Sequence, residues 1–264
     1  MRARPFRWVV SNSADAEVMQ AALDAHDFGA HFHETWSVGR IDEGECRFRV
    51  GDESFVAREG EIVVIPPYAV HTGGNRTRGL RYRMAYVGER WFRDLSRKVL
   101  GDAAVAFPGV VIRDAGLSAQ LDRALASRDG LGQALARLIA RHGRGRHPAR
   151  RRLQADGDAD ARSVLKALDC GPASRSTKIR RFAREFGLPP ARYLRNLRCV
   201  SAKELIRQGL GLAEVALQLG FSDQAHFTRE FKRVHGIAPG QYQRSVLGTQ
   251  KTNRFATTMV PARK

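Results

Sequence analysis

The sequence predicts an α+β protein of two domains: an N-terminal antiparallel β-barrel followed by a C-terminal all-α domain carrying a helix-turn-helix. Three observations predict it. Between about residues 28 and 87, apolar and polar residues alternate in short runs broken by Gly, Asp and Pro, the pattern of strands and turns. Beyond residue 113 the apolar spacing changes to that of helices. The formal charge of +18 is lopsided: residues 1–136 hold 18 Lys+Arg against 18 Asp+Glu, and residues 137–264 hold 27 against 9. A basic domain joined to a neutral one is the footprint of a polyanion binder with a separate second task.

Cys46-Arg47-Phe48-Arg49-Val50 alternates, Gly51-Asp52 marks a turn, and Phe55-Val56-Ala57 resumes the strand pattern. Ile62 to Ile65 is a continuous apolar run stopped by Pro66-Pro67, as for a buried strand. Leu80 to Tyr86 alternates again. Closing these strands into a barrel removes their exposed edges. Within the region, His31 and His33 stand two residues apart on one strand face, and His71 follows the double proline. Three imidazoles can hold a metal, but histidine also serves in hydrogen bonds inside a barrel or in contact with an organic ligand, and no metal site is assigned to them. Trp36, Tyr82 and Tyr86 are candidates for the wall of a ligand pocket, with core packing the alternative.

Leu117, Leu121, Ala124 and Leu125, then Leu131, Leu135, Leu138 and Ile139, define two amphipathic helices parted by Gly130 and Gly132. They pack on the barrel or pair with a second subunit, packing being the simpler outcome. Residues 141–171 mix Gly, Pro and charge with few apolar positions and read as a linker. Ser174 or Ser176 then caps a helix closed by Gly187. Pro189-Pro190 opens a longer one with Tyr193, Leu194, Leu197, Ala202, Leu205 and Ile206 as its buried stripe.

The most informative stretch follows. Leu212, Val215, Ala216 and Leu219 form one buried face, Gly220 supplies a left-handed turn residue, and Phe221 returns to the core. Ser222 is expected to N-cap the next helix with Asp223 in its first turn. That helix buries Phe227, Phe231 and Val234, and turns Gln224, Ala225, His226, Thr228, Arg229, Lys232 and Arg233 outward. A helical hairpin with a solvated charged face would show the same periodicity. The glycine, the cap, the aromatic spacing and the cationic face together favour a helix that enters the major groove.

No apolar run approaches the length of a membrane span, and MRARPFRWVV lacks the apolar core of a secretion signal. Cys46, Cys170 and Cys199 are odd in number and widely spaced, which suits a reducing cytoplasm. No nucleophile–base–acid constellation stands at interpretable spacing, so an enzyme is not expected.

SRSTKIRRFAREFGLPPARYLRNLR, followed by AKELIRQGLGLAEVALQLGFSDQAHFTREFKRVHGIAPGQY, resembles the DNA-binding domain of AraC/XylS-type transcriptional regulators over roughly residues 160–245. HFHETWSVG, GEIVVIPPYAVHTGG and LRYRMAYV are similar, more loosely, to the AraC-type effector-binding cupin domain. Gly60, Pro66, His71 and Asn75 match the second cupin motif, while Ser37 and Val38 stand where cupin enzymes place a glutamate.

The resemblance implies two helix-turn-helix units, joined by a long helix, in successive major grooves. Gln224, Ala225, His226, Thr228 and Arg229 match positions facing bases or phosphates. On the first reading helix, Ser176, Thr177, Ile179 and Arg180 are the matching outward positions, with Arg175 and Arg181 toward phosphate. Lys178 departs from the family's buried Leu, so the first unit is degenerate. The implied organisation is an effector-binding domain at 1–112, a helical dimerisation and linker region at 113–160, the DNA-binding domain at 161–245 and a flexible basic tail at 246–264. His31, His33, Trp36, His71, Tyr82 and Tyr86 are the expected effector residues. The expected partners are double-stranded DNA, a small-molecule effector, RNA polymerase and a second copy of the chain. No cofactor is called for. The alternative is a metal-dependent cupin enzyme fused to a DNA-binding domain, with metal on the three histidines.

Overall fold

In a computed structural model, described for residues 6–11, 16–24, 27–74, 78–127, 129–145 and 174–256, every strand pairing is antiparallel. Most of the expected linker, Asn75, Cys170 and the end of the tail lie outside the described residues. A six-stranded sheet runs in the order β1 (Phe6–Ser11), β2 (Ala16–Asp24), β9 (Arg78–Val87), β4 (Trp36–Glu43), β7 (Ile62–Ile65), β11 (Val111–Ile112). A four-stranded sheet runs β3 (Asp27–His31), β8 (His71–Gly74), β5 (Glu45–Val50), β6 (Glu53–Arg58). The pair β10 (Val105–Ala106) and β12 (Arg144–Gly145) stands apart.

The two-residue period of a strand explains how the large sheet is used. Met19, Leu23, Ile41, Val63, Ile65 and Leu80 face inward, toward the smaller sheet. Their neighbours Val18, Trp36, Val38, Ile62, Val64, Ala85 and Val87 face outward into a second core. That outer core is completed by α1 (Glu89–Leu100), α2 (Ala115–Ser127) and α3 (Leu131–His142). Ile62 to Ile65 is apolar throughout because both of its faces are buried.

Leu117, Leu121, Leu125, Leu131, Leu135, Leu138 and Ile139 are all buried against the sheet. The stripes expected to pack on the barrel or pair with a second subunit are therefore covered by the barrel's own outer face. These helices form its outer layer, so a boundary at residue 112 falls inside one packed unit.

The C-terminal half consists of α4 (Arg175–Phe186), α5 (Pro190–Arg207), α6 (Leu212–Gln218), α7 (Gln224–His235) and α8 (Pro239–Ala256). Ser174 caps α4, its side chain accepting from the Thr177 N–H, and Gly187 at φ 78° ends it. Gly187 also passes so close to Val70 of the barrel that an added Cβ would lie 3.0 Å from the valine's Cβ. α8 continues through Ala256 and buries Val246, so the first part of the expected flexible tail is helical. Four residues after Tyr242, Val246 repeats the buried face one turn on.

The two halves share their cores. Phe32, Tyr68 and Val70 of the barrel pack with Phe182, Leu188, Tyr193 and Leu197 of the helices. The barrel interior is continuous with Cys199, Ile206, Phe227, Phe231 and Tyr242.

Candidate nucleic-acid interface and ligand cavity

The second helix-turn-helix forms as the residues predict. Val215, Ala216 and Phe221 are buried, Gly220 turns at φ 68°, and Phe227, Phe231 and Val234 anchor α7. The Arg198 guanidinium donates to the Gly220 carbonyl at 2.8 Å, fixing the turn to α5. The cap differs from the expected one by one position. Asp223, not Ser222, is the N-cap, with Oδ1 accepting from the His226 N–H at 2.7 Å. A carboxylate satisfies an orphan N–H and complements the helix dipole at once. Ser222 bonds Asp223 and the His226 ring instead.

Gln224, Ala225, Arg229, Lys232 and Arg233 are exposed, and His226 and Thr228 are half-buried. No ion pair to a described residue ties Arg229 or Lys232, whereas Arg233 donates to both oxygens of Glu230 at 2.8 and 2.9 Å. On α4, Arg175, Ser176, Thr177, Ile179, Arg180 and Arg181 are exposed, and Lys178 is half-buried. The eighteen-residue α5 joins the two units.

The barrel interior is not filled. Its cavity encloses about 670 Å³, part of it open to solvent, between apolar residues of both sheets and a polar end formed by histidines. His31, His33, His71, Tyr82 and Tyr86 line it. Trp36 does not: its ring stacks on Phe92 with centroids 4.5 Å apart, in the outer core. Strand alternation is the reason, because neighbouring Ser37 takes the inward position. His33 lies just past the end of β3 rather than on it, and its carbonyl accepts from the N–H of Tyr68, which stands at φ 59°.

Burial, reinforced for His31 and His33 by neighbouring imidazoles, holds His31, His33 and His71 below the usual histidine range. The Nδ1–H groups of His31 and His71 donate to the carbonyls of Gly29 and Ala69, each at 2.8 Å. A carbonyl only accepts, so these rings carry their lone pairs on Nε2.

Two cavity residues come from the other half of the chain. Val234 and His235, in the last turn of α7, close the wall. The His33 and His235 rings stack with centroids 5.8 Å apart. His235 Nε2 bonds the Cys199 carbonyl at 3.0 Å, and its buried Nδ1 has no hydrogen-bond partner among the described residues. Burial, with the Lys203 ammonium adding to it, lowers the His235 pKa to about 3.

Beside the cavity, Glu17 of β2 receives Lys203 at 2.6 Å, Arg207 at 2.6 Å and the Tyr242 hydroxyl. Burial alone would raise the Glu17 pKa, but Lys203 and Arg207 outweigh it and hold it at about 2. Asn196 of α5 bonds both the N–H and the carbonyl of Phe32, 164 positions away. Sequence reasoning missed Glu17, Asn196, Lys203 and His235. Their only signal is a polar residue inside an apolar stripe, which carries no record of its partner.

Family comparison agrees with this layout. The model of the AraC-like ligand binding domain matches residues 14–145, and a helix-turn-helix domain model matches residues 172–245. The HTH-type transcriptional regulator MtrA of Neisseria gonorrhoeae is 32% identical over 97 residues, 36% of this chain and 32% of that protein. The HTH-type transcriptional activator RhaS of Escherichia fergusonii is 35% identical over 85 residues, 32% of this chain and 31% of that protein. The matched stretch thus spans about a third of the length of these curated relatives. The crystal structure of ToxT from Vibrio cholerae O395 superposes with a TM-score of 0.54 at 12% identity, covering 93% of this chain and all of that one. A ToxT structure from strain SCE256, described as bound to an unsaturated fatty acid, gives 0.52 at 12% identity, covering 90% and 98%. With a ligand-binding-domain match over half its length and a helix-turn-helix match following it, the chain belongs to the AraC-type family of transcriptional regulators.

Proposed function

We propose that this chain is a sequence-specific DNA-binding transcriptional regulator whose output responds to a small organic molecule held in the barrel. One observation carries the reading: α7 exposes Gln224, Arg229 and Lys232 on one side, while its last turn, through Val234 and His235, forms the wall of the cavity. Gln224 suits a bidentate contact with adenine, and Arg229 suits guanine or phosphate. Ser176, Thr177 and Arg180 of α4 supply the first unit's reading contacts, and Arg175 and Arg181 reach phosphate. An effector shifts DNA binding only by its differential affinity for two arrangements, and a cavity wall shared with the reading helix supplies a site for that difference.

The effector is a largely apolar molecule with a polar group at the histidine end, since the lining is mainly aliphatic and aromatic. The unsaturated fatty acid in one ToxT structure belongs to that class. The active species is a homodimer reading paired sites, and it acts on RNA polymerase in the cytoplasm. Because the apolar faces of α2 and α3 are covered, the dimer forms through other surfaces. Selecting bound fragments from the host genome with the full chain tests the reading. A short recurrent sequence motif among them is the expected outcome, and a collection of unrelated fragments overturns it.

A further inference from the structure

We propose that the barrel cavity takes an uncharged ligand carrying a hydroxyl group on an apolar body, with the hydroxyl held among His31, His33 and His71. The inference rests on the reading of the barrel as an effector site and names the chemistry of the group at its polar end. The three rings gather there, with centroids 4.4 Å apart for His31 and His71, 4.9 Å for His31 and His33, and 5.3 Å for His33 and His71. His31 and His71 each commit Nδ1–H to the carbonyl two residues earlier. Each Nε2 is therefore an acceptor, and neither accepts from a described residue. The His33 ring makes no hydrogen bond to a described residue, and as a neutral imidazole it offers one donor and one acceptor. A hydroxyl answers both needs: its O–H donates to an Nε2 while its oxygen accepts from His33.

A charged head group fits less well, because no Asp, Glu, Lys or Arg lines the cavity. A carboxylate would bring only acceptors to the lone pairs of His31 and His71, and burial keeps those rings from becoming cations to meet it. Lys203, whose ammonium lies 5.8 Å from the centre of the Tyr86 ring, is already paired with Glu17 at 2.6 Å, and Arg207 holds the same carboxylate at 2.6 Å. An acid would have to displace Glu17 to gain a counter-ion. An ammonium would find acceptors but no carboxylate in the wall to balance its charge. An ether brings no donor, and leaves the imidazole acceptors unmatched. Phe28, Phe48, Tyr82 and the aliphatic side chains around them suit the apolar body.

The test titrates the full chain near neutral pH by calorimetry with 4-butylphenol, 4-butylanisole, 4-butylbenzoate and 4-butylbenzylamine, which share one body and differ in the head group. 4-Butylcyclohexanol presents the same hydroxyl on an aliphatic ring. One or both hydroxyl compounds should bind about tenfold or more tighter than the ether, the acid and the amine. His31→Phe and His71→Phe, which remove an acceptor and keep a ring, should each shrink the preference for phenol over anisole toward one. His142→Asn, whose ring bonds Asp114 outside the cavity, should preserve it. Circular dichroism identifies any variant that fails to fold, and the comparison on the parent chain decides without variants. Equal or tighter binding of the ether, the acid or the amine overturns the proposal, as does failure of both hydroxyl compounds to bind or an undiminished preference in the folded histidine variants. DNA binding is measured on the same samples. Chain that selects its DNA yet prefers the ether or the acid overturns the hydroxyl assignment alone, and chain that prefers the hydroxyl yet ignores DNA sequence overturns the regulatory reading alone.

Discussion

Glu17 of β2 and Lys203 of α5 form an ion pair at 2.6 Å with both side chains less than a tenth exposed, tying the barrel to the helix that joins the two DNA-reading units. Arg207 and Tyr242 converge on the same carboxylate, which is why a buried charge survives there. The contact lies beside the cavity: Lys203 is also 5.8 Å from the centre of the Tyr86 ring that lines it. Posture between the halves and occupancy of the cavity therefore meet at adjoining residues.

Removing the charge should separate the halves energetically. Glu17→Gln leaves Lys203 buried beside a neutral amide and should cost about 3–5 kcal/mol. Urea unfolding checks this with two probes: tryptophan fluorescence, which reports on the N-terminal half because Trp8, Trp36 and Trp91 all belong to it, and helical circular dichroism. The transitions should coincide in the parent and come apart in the variant. Glu17→Leu combined with Lys203→Met should recover part of the loss, because an apolar pair carries no desolvation cost while Arg207 and the Tyr242 hydroxyl still lose their acceptor.

Acid should act through the same residue. The Glu17 carboxyl has a folded pKa of about 2 against an ordinary 4.5. In acid the unfolded chain takes up its proton first, so the stabilisation is complete above about pH 4.5 and fades as pH falls toward 2. It amounts to roughly 3 kcal/mol. Stability measured from pH 6 to pH 3 should fall less steeply in Glu17→Gln than in the parent. Parallel curves would remove Glu17 from the account.

The cap of the reading helix gives a local prediction. Asp223→Ala should cost about 1 kcal/mol and weaken DNA binding by fraying the turn that holds Gln224 to His226. Ser222→Ala, which loses only side-chain contacts to Asp223 and His226, should cost less than half as much. Chemical denaturation and a DNA titration of both variants check the order.

The DNA-reading half was legible because its information is local. The spacing of Val215, Phe227, Phe231 and Val234 with Gly220 specified the motif within about twenty residues, and only the cap was misassigned, by one position. The barrel was legible as strands, and the continuous run Ile62 to Ile65 announced a buried one. Trp36 was assigned to the cavity because aromatic character was read without strand parity. Ser37 at the inward position was the available correction. His31, His33 and His71 were found, whereas His235 was not, since an imidazole in the last turn of a basic helix has the look of a dipole partner. Glu17, Asn196 and Lys203 act across more than 160 residues of chain. A pairing of that range leaves no periodic trace.

The central claim is that α7 selects DNA by sequence, and the most direct measurement compares the full chain's affinity for a genomically selected site with that for a scrambled duplex at one fixed salt concentration. The account predicts a preference of about a thousandfold or more, reduced roughly 5- to 150-fold on the selected site by Arg229→Ala, with Arg233→Ala costing less because that side chain is paired with Glu230. Equal affinity for the two duplexes, falling together as salt rises, would contradict it.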